Sequence, residues 1–86
     1  MKRKGEAGIT MREELIAILK EIKPTKNLEN ETAIVEEGYI DSFELMQLIV
    51  LMGERFDIEI TVDDITPENF NSVDAMTKMI GRLQNK

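Results

Sequence analysis

The spacing of apolar residues confines most of this chain to helices. Three segments carry apolar side chains three and four positions apart, which puts them on one face of an α-helix. The three stripes are Met11, Leu15, Ile18, Leu19 and Ile22; Leu45, Leu48, Ile49, Met52 and Phe56; and Val73, Met76, Met79, Ile80 and Leu83. In a chain of 86 residues these faces can be buried only against one another, so we predict one all-α domain.

The first helix has a clear start and a clear end in the sequence. Thr10 and Glu13 have the spacing of a capping box, in which each side chain binds the free backbone N–H of the other residue. Pro24 excludes the residue before it from helical geometry. The first helix should therefore cover about residues 11–22.

The second helix begins with a similar pair. Asp41 is the predicted N-cap, and Glu44 stands at the third helical position. Gly53 costs about 1 kcal/mol relative to alanine and favours an early end, whereas Phe56 fits the apolar stripe if the helix continues. This helix carries more apolar surface than one core face requires, because three further apolar residues lie off the stripe: Met46, Val50 and Leu51.

The connection between these helices, residues 23–40, is long for so small a domain. We expect it to pack against the bundle, because apolar residues recur along it: Leu28, Ile34, Val35, Tyr39 and Ile40. Gly38 marks a turn near its end. A connection of this length is often functional or crosses between helices that are not adjacent.

The segment after the second helix alternates like a strand at three positions: Ile58, Ile60 and Val62. No second convincing strand exists to pair with it, so we expect an extended connector that inserts these side chains into the core. Thr66 and Pro67 read as an N-cap and first helical residue of a short helix near 67–70. Asn71 or Ser72 then caps the last helix.

Together these elements predict a four-helix bundle with three longer helices, one short helix and a long first loop. Residues 1–9 have no apolar period and contain two glycines, so we expect a flexible N-terminal tail. The folded domain should cover residues 10–86.

Composition and charge exclude several classes of function. The chain has neither cysteine nor histidine, which removes disulfides, thiolate metal sites and the commonest general base. Residues 29–68 hold twelve acidic side chains and one basic one, a net charge of −11. Such a surface repels nucleic acid and anionic membranes and suits basic partners. The longest apolar run has five residues and no apolar leader follows the basic start, so we expect a monomeric cytoplasmic protein without membrane insertion.

Ser42 is the candidate functional residue. It stands at the first helical position after Asp41, where backbone N–H groups lack partners within the helix. The helix dipole adds partial positive charge there, so an anion attached to this hydroxyl would be stabilised. A serine at a helix start is more often present only for local hydrogen bonds.

The residues around Ser42 add a family resemblance. Residues 38–45, Gly-Tyr-Ile-Asp-Ser-Phe-Glu-Leu, resemble the prosthetic-group attachment motif of acyl and peptidyl carrier proteins. The likeness extends through residues 48–60 and 70–76 and covers about residues 11–83. It implies that a phosphopantetheinyl transferase moves 4′-phosphopantetheine from coenzyme A to Ser42, with Asp41 as the adjacent helix cap. The thiol of the arm would then carry an acyl or aminoacyl group as a thioester, and the chain itself would catalyse nothing.

The same resemblance implies a docking face along the second helix for a loading ligase and downstream synthases. The matching positions are Phe43, Glu44, Met46, Gln47, Val50, Glu54 and Ile65. Ordinary core packing would equally explain Met46 and Val50, and helix capping alone would explain Glu44. Gln47 and Gly53 stand where fatty-acid carriers commonly have acids, and Leu51 where a small residue is common, which speaks against a fatty-acid role. The Gly-x-Ile-Asp-Ser form of residues 38–42 is more similar to carriers of aminoacyl or specialised acyl groups.

Two other functions remain open at this point. The bundle could be an acidic adaptor that is never modified. A carboxylate-based enzyme using Asp63, Asp64 and Glu68 is the third possibility, although these acids lack the spacing of a calcium-binding loop. A solvated acidic turn explains them more simply.

Overall fold

The computed structural model describes residues 9–85 and contains four α-helices. They are α1 (Met11–Ile22), α2 (Ser42–Phe56), α3 (Pro67–Phe70) and α4 (Val73–Gln84), with a 3₁₀ helix at Val62–Asp64 between α2 and α3. These residues include no β-strand, so the predicted all-α architecture is confirmed. The predicted tail lies outside the described residues except for Ile9, and the domain boundary stays a prediction.

Side-chain caps begin each of the four helices at the predicted place. The hydroxyl of Thr10 accepts the Glu13 N–H at 3.1 Å, and the Glu13 carboxylate accepts the Thr10 N–H at 3.0 Å. Thr66 caps α3, with Pro67 as its first residue. Ser72 caps α4, because its hydroxyl accepts the Ala75 N–H at 3.0 Å. These short-range bonds explain why the sequence pattern predicted the boundaries well.

The core is formed where the apolar stripes meet. Helix α1 packs against both α2 and α4, and the short α3 packs against α4. The buried side chains are Leu15, Ile18, Leu19, Leu28, Ile34, Ile40, Leu48, Met52, Phe70, Val73, Met76, Met79 and Ile80. Every buried side chain in this set is apolar, so α2 is held in the bundle by its inner face and its outer face remains available.

The long connection is fixed to the bundle by apolar anchors and by one asparagine. Leu28, Ile34 and Ile40 are buried, as predicted. The backbone carbonyl of Asn71 accepts the Ile34 N–H at 2.9 Å. Its side-chain oxygen accepts the backbone N–H groups of the next two loop residues at 2.9 and 3.1 Å. Asn71 therefore holds the loop that precedes α2, whereas the alternative role as cap of α4 belongs to Ser72.

The segment after α2 departs from prediction at one residue. Gly53 does not end the helix, which continues to Phe56 and closes with Asp57 in the left-handed region (φ 53°). Ile58 and Ile60 pack against the core as expected, but Val62 is 84% exposed. The expectation for Val62 was wrong because the chain turns into the 3₁₀ helix there, which breaks the alternation.

None of the helices described is both long and apolar enough to span a membrane. The longest, α2, has 15 residues and two faces of different character. Its inner face is buried at Leu48 and Met52, and its outer face carries exposed residues. This division matters for the site, because Ser42 is the first residue of the same helix.

Candidate functional site

Ser42 lies exposed at the first position of α2, as the sequence predicted. The two elements that position it are the loop held by Asn71 and the cap residue Asp41. Asp41 has extended backbone geometry, so the chain enters the helix directly at Ser42. A hydroxyl in this location is open to a modifying enzyme.

The backbone around Ser42 offers unused hydrogen-bond donors. The Asp41 carboxylate accepts the Glu44 N–H at 2.8 Å, and the Asp41 carbonyl accepts the Leu45 N–H at 2.8 Å. Within the described part of the chain, the N–H groups of Ser42 and Phe43 have no protein acceptor. Two donors at the positive end of a helix of four turns therefore remain beside the Ser42 hydroxyl.

A phosphodiester on Ser42 fits this arrangement. Its negative charge would lie at the positive end of the α2 dipole, and its oxygens could accept the N–H groups of Ser42 and Phe43. The neighbouring Asp41 carboxylate is turned to the Glu44 N–H as a cap. The residues present at the start of α2 thus suit a charged tether.

Glu44 has two partners that limit its freedom. One of its carboxylate oxygens accepts the Asp41 N–H at 3.0 Å and completes the capping box. Both of its carboxylate oxygens lie 3.4 Å from the Nζ atom of Lys23, the residue that follows α1. Sequence reasoning found the capping role but missed Lys23, because nothing local in the sequence pairs two residues 21 positions apart.

An exposed apolar strip runs along α2 from the residue next to Ser42. Phe43 is 72% exposed, Met46 60% and Val50 55%, so the alternative that Met46 and Val50 are core residues is wrong. Together with Gln47 and Leu51 these side chains line an open groove of about 350 Å³. Leu51 is half-buried and was predicted only as an off-stripe residue.

The remaining predicted docking positions are three polar residues on α2 and one apolar residue beyond it. Gln47 and Glu54 are exposed on α2, and Ile65, just after the 3₁₀ helix, is 36% exposed. Glu44 is half-buried and faces Lys23. The exposed members of the set are thus mainly apolar, with one acid at the far end of α2.

Of the three acids considered for an enzyme site, Asp64 has a structural role in the turn before α3. The Asp64 carboxylate accepts both the backbone N–H and the hydroxyl of Thr61, at 2.9 and 3.0 Å. Across residues 9–85, no three acidic side chains converge as metal ligands would. Asp63 and Glu68 are exposed to solvent. This turn therefore has the features of a capped surface turn.

Comparison with known proteins identifies the family of this chain. The family model described as a phosphopantetheine attachment site matches residues 10–80. Similar proteins include the D-alanyl carrier proteins of Bacillus cereus strains B4264 and AH187 and of Bacillus anthracis strain CDC 684 / NRRL 3495. Each is 25% identical over 75 residues, which cover 85% of this chain and 95% of the relative.

The match spans most of the chain and includes all of α1, α2 and α3. Proteins of this family hold 4′-phosphopantetheine covalently and carry substrates on it, and they do not catalyse reactions themselves. The helical bundle and the exposed serine at a helix start are the features that such a role needs. The chain belongs to the family of carrier proteins built around a phosphopantetheine attachment site.

Proposed function

We propose that Ser42 is the attachment residue and that this chain holds acyl or aminoacyl groups for delivery to biosynthetic enzymes. The observation that carries the proposal is the exposed Ser42 hydroxyl at the start of α2, beside two backbone N–H groups that no described residue uses. When bound, the arm supplies a terminal thiol that holds a carboxylic acid as a thioester. A tether on this residue raises the effective concentration of the cargo near each partner.

The residues at the start of α2 support arm transfer in distinct ways. The Ser42 oxygen attacks the pantetheine-side phosphorus of the coenzyme A diphosphate. The bond from that phosphorus to the bridging oxygen breaks, adenosine 3′,5′-bisphosphate leaves, and the hydroxyl proton passes to a base of the transferase. Asp41 keeps the helix start formed, and the free N–H groups of Ser42 and Phe43 can receive the new phosphodiester. No base is needed from this chain.

Intact-mass measurement tests the attachment residue. The purified protein is incubated with coenzyme A and a broad-specificity phosphopantetheinyl transferase, and we expect a mass gain of one arm. Ser42→Ala should gain nothing. Ser72→Ala is the matched control, because Ser72 is the only other serine and also stands at a helix start. The control should gain one arm because it retains Ser42. The Ser72 hydroxyl that it loses is the cap of α4.

Two results of the same measurement count against the proposal. Failure of several transferases to modify the wild-type chain would favour the unmodified adaptor. An arm that persists in Ser42→Ala and disappears in Ser72→Ala would move the site to α4. Both variants must first give helical circular dichroism spectra like that of the wild type.

We also propose that the apolar strip of Phe43, Met46 and Val50 is the docking face for the transferase, the loading ligase and later enzymes. Its support is its exposure, its groove and its position within three turns of Ser42. Gln47, Glu54 and Ile65 would form the polar and apolar margin of this face, and Glu44 would shape it through its bond to Asp41. Partners with an apolar patch bordered by basic residues would fit it.

A pair of substitutions tests the docking face. Val50→Ser removes an exposed apolar side chain from the strip, whereas Ile9→Ser removes one that is 51% exposed and precedes α1. We expect Val50→Ser to raise the KM for arm transfer about three- to tenfold, with kcat unchanged, because the partner loses buried apolar contact. Equal KM values for Val50→Ser and Ile9→Ser would remove the strip from the proposal.

The cargo that we propose is a small aminoacyl group. Its support is the similarity to D-alanyl carrier proteins, whose name gives D-alanine as their cargo. A D-alanine-activating ligase from Bacillus cereus should load the modified protein in the presence of ATP, and hydroxylamine should release the group. Loading by a fatty-acyl ligase, with none by the D-alanine ligase, would contradict this cargo class and leave the role of Ser42 intact.

A further inference from the structure

One ion pair connects the end of α1 to the turn that carries Ser42. Lys23 is the C-cap of α1, and its N–H donates to the Leu19 carbonyl at 2.8 Å. Its Nζ atom lies 3.4 Å from both oxygens of Glu44. The two side chains are 30% and 20% exposed, the lowest combined exposure of any ion pair within residues 9–85. This pair is therefore less screened by solvent than the others.

Glu44 also binds the backbone at the start of α2. The same carboxylate accepts the Asp41 N–H at 3.0 Å, while the Asp41 carboxylate accepts the Glu44 N–H at 2.8 Å. Lys23, Glu44 and Asp41 thus form one connected chain of bonds around the turn in which Ser42 lies. The lysine is at the negative end of α1 and the glutamate at the positive end of α2, so both dipoles favour the pair.

A second contact, made by Lys26 in the segment that follows α1, reinforces the first. The Nζ atom of Lys26 lies 4.6 Å from the centroid of the Tyr39 ring and 3.3 Å from a Glu31 carboxylate oxygen. Tyr39 is three residues before Ser42, on the opposite side of Asp41 from Glu44. Residues 23–26 therefore hold the chain both before and after the attachment residue.

We propose that Lys23 is a positioning residue for arm transfer, an inference that rests on Ser42 being the attachment residue. Lys23 holds the Glu44 carboxylate, and through it the capping box, in one arrangement against the end of α1. The Ser42 hydroxyl is then presented in one orientation before a transferase binds. A reacting group held in a fixed orientation reaches the transition state with less loss of freedom.

The charge-removing variant Lys23→Gln tests this role against Lys20→Gln. Lys20 is exposed in the last turn of α1, three residues before Lys23, and has no ion pair in the part of the chain described. Each variant removes one positive charge. We expect Lys23→Gln to lower kcat for arm transfer about three- to tenfold with little change in KM. Lys20→Gln should leave both constants unchanged, and Lys23→Arg should retain most of the rate because the cation is kept.

The partner residue supplies a second test. Glu44→Gln keeps a side chain that can complete the capping box but removes the ion pair. The double variant Lys23→Gln/Glu44→Gln should be no slower than the slower single variant, because both changes break one contact. All rates are measured below the thermal transition of each variant, so that unfolded protein does not enter the comparison.

The possible outcomes separate this inference from the proposed function. A Lys23→Gln variant with a lower melting temperature but a wild-type kcat would make Lys23 merely structural and would overturn the inference. If Lys20→Gln and Lys23→Gln raised the KM for arm transfer equally, the effect would come from overall charge. That result would also overturn the inference about Lys23. An arm that is still transferred to Ser42→Ala would instead refute the attachment residue.

Discussion

Replacing Asp41 tests whether the start of α2 depends on one side-chain hydrogen bond. In the structure the Asp41 carboxylate accepts the Glu44 N–H at 2.8 Å. The reverse bond, from the Asp41 N–H to Glu44, uses the backbone and survives any side-chain change at 41. Asp41→Ala removes the cap bond and a negative charge at the positive end of the helix. Asp41→Asn removes only the charge.

The free energies of unfolding of the two variants should differ by the contribution of the cap hydrogen bond. Loss of an N-cap costs about 1 kcal/mol of the free energy of unfolding. Loss of an exposed charge at a helix start costs about 0.5 kcal/mol. Asp41→Ala should therefore lose about 1.5 kcal/mol and Asp41→Asn about 0.5 kcal/mol. In a domain of this size, the melting temperatures should fall by about 6–12 °C and 2–4 °C.

Thermal and urea unfolding followed by circular dichroism measure these differences. Thr10→Ala is the matched control, because Thr10 caps α1 through the same kind of bond at 3.1 Å and carries no charge. It should lose about 1 kcal/mol, between the two Asp41 variants. In 1 M salt the Asp41→Asn loss should shrink, since screening weakens the dipole interaction. Equal losses for Asp41→Ala and Asp41→Asn would refute the reasoning, because the charge alone would then account for the effect.

Three further predictions concern stability, each checked by urea unfolding. Asn71→Leu should lose about 2 kcal/mol, because one part-buried and one exposed loop N–H group lose their acceptor, whereas Asn71→Asp keeps an acceptor oxygen and should lose less. Equal losses would remove the hydrogen bonds as the cause. Met52→Ala should lose about 2–5 kcal/mol from the core, whereas Met46→Ala on the exposed face should change stability by under about 0.5 kcal/mol. Similar values would contradict the two-faced description of α2. Asp57→Gly should gain up to about 1 kcal/mol, because Asp57 has a φ of 53°, and a loss would show that its side chain matters more than its backbone strain.

Most of the fold followed from interactions between residues close in sequence. The capping pairs at Thr10 and Asp41 span three residues, and each is present in the structure. The apolar stripes also predicted which side chains are buried, because the periodicity of a helix fixes its faces without knowledge of the partner. Ser42 could be placed at a helix start for the same reason.

Features that depend on distant parts of the chain could not be predicted. Val62 was missed for a local reason instead, because it continued an alternating pattern while the bonds between Thr61 and Asp64 start a 3₁₀ helix that leaves it exposed. Asn71 bonds to a loop 35 and 36 residues earlier, and Lys23 at the end of α1 bonds to Glu44 at the start of α2. These contacts are set by how the helices pack, and no local spacing encodes them.

The most direct test is to identify the residue that bears the arm. Wild-type protein treated with coenzyme A and a phosphopantetheinyl transferase is digested, and the modified peptide is fragmented in a mass spectrometer. We expect the fragment masses to assign the arm to Ser42, in the peptide that spans the start of α2. An arm assigned to any other residue, or no modified peptide at all, would contradict this expectation.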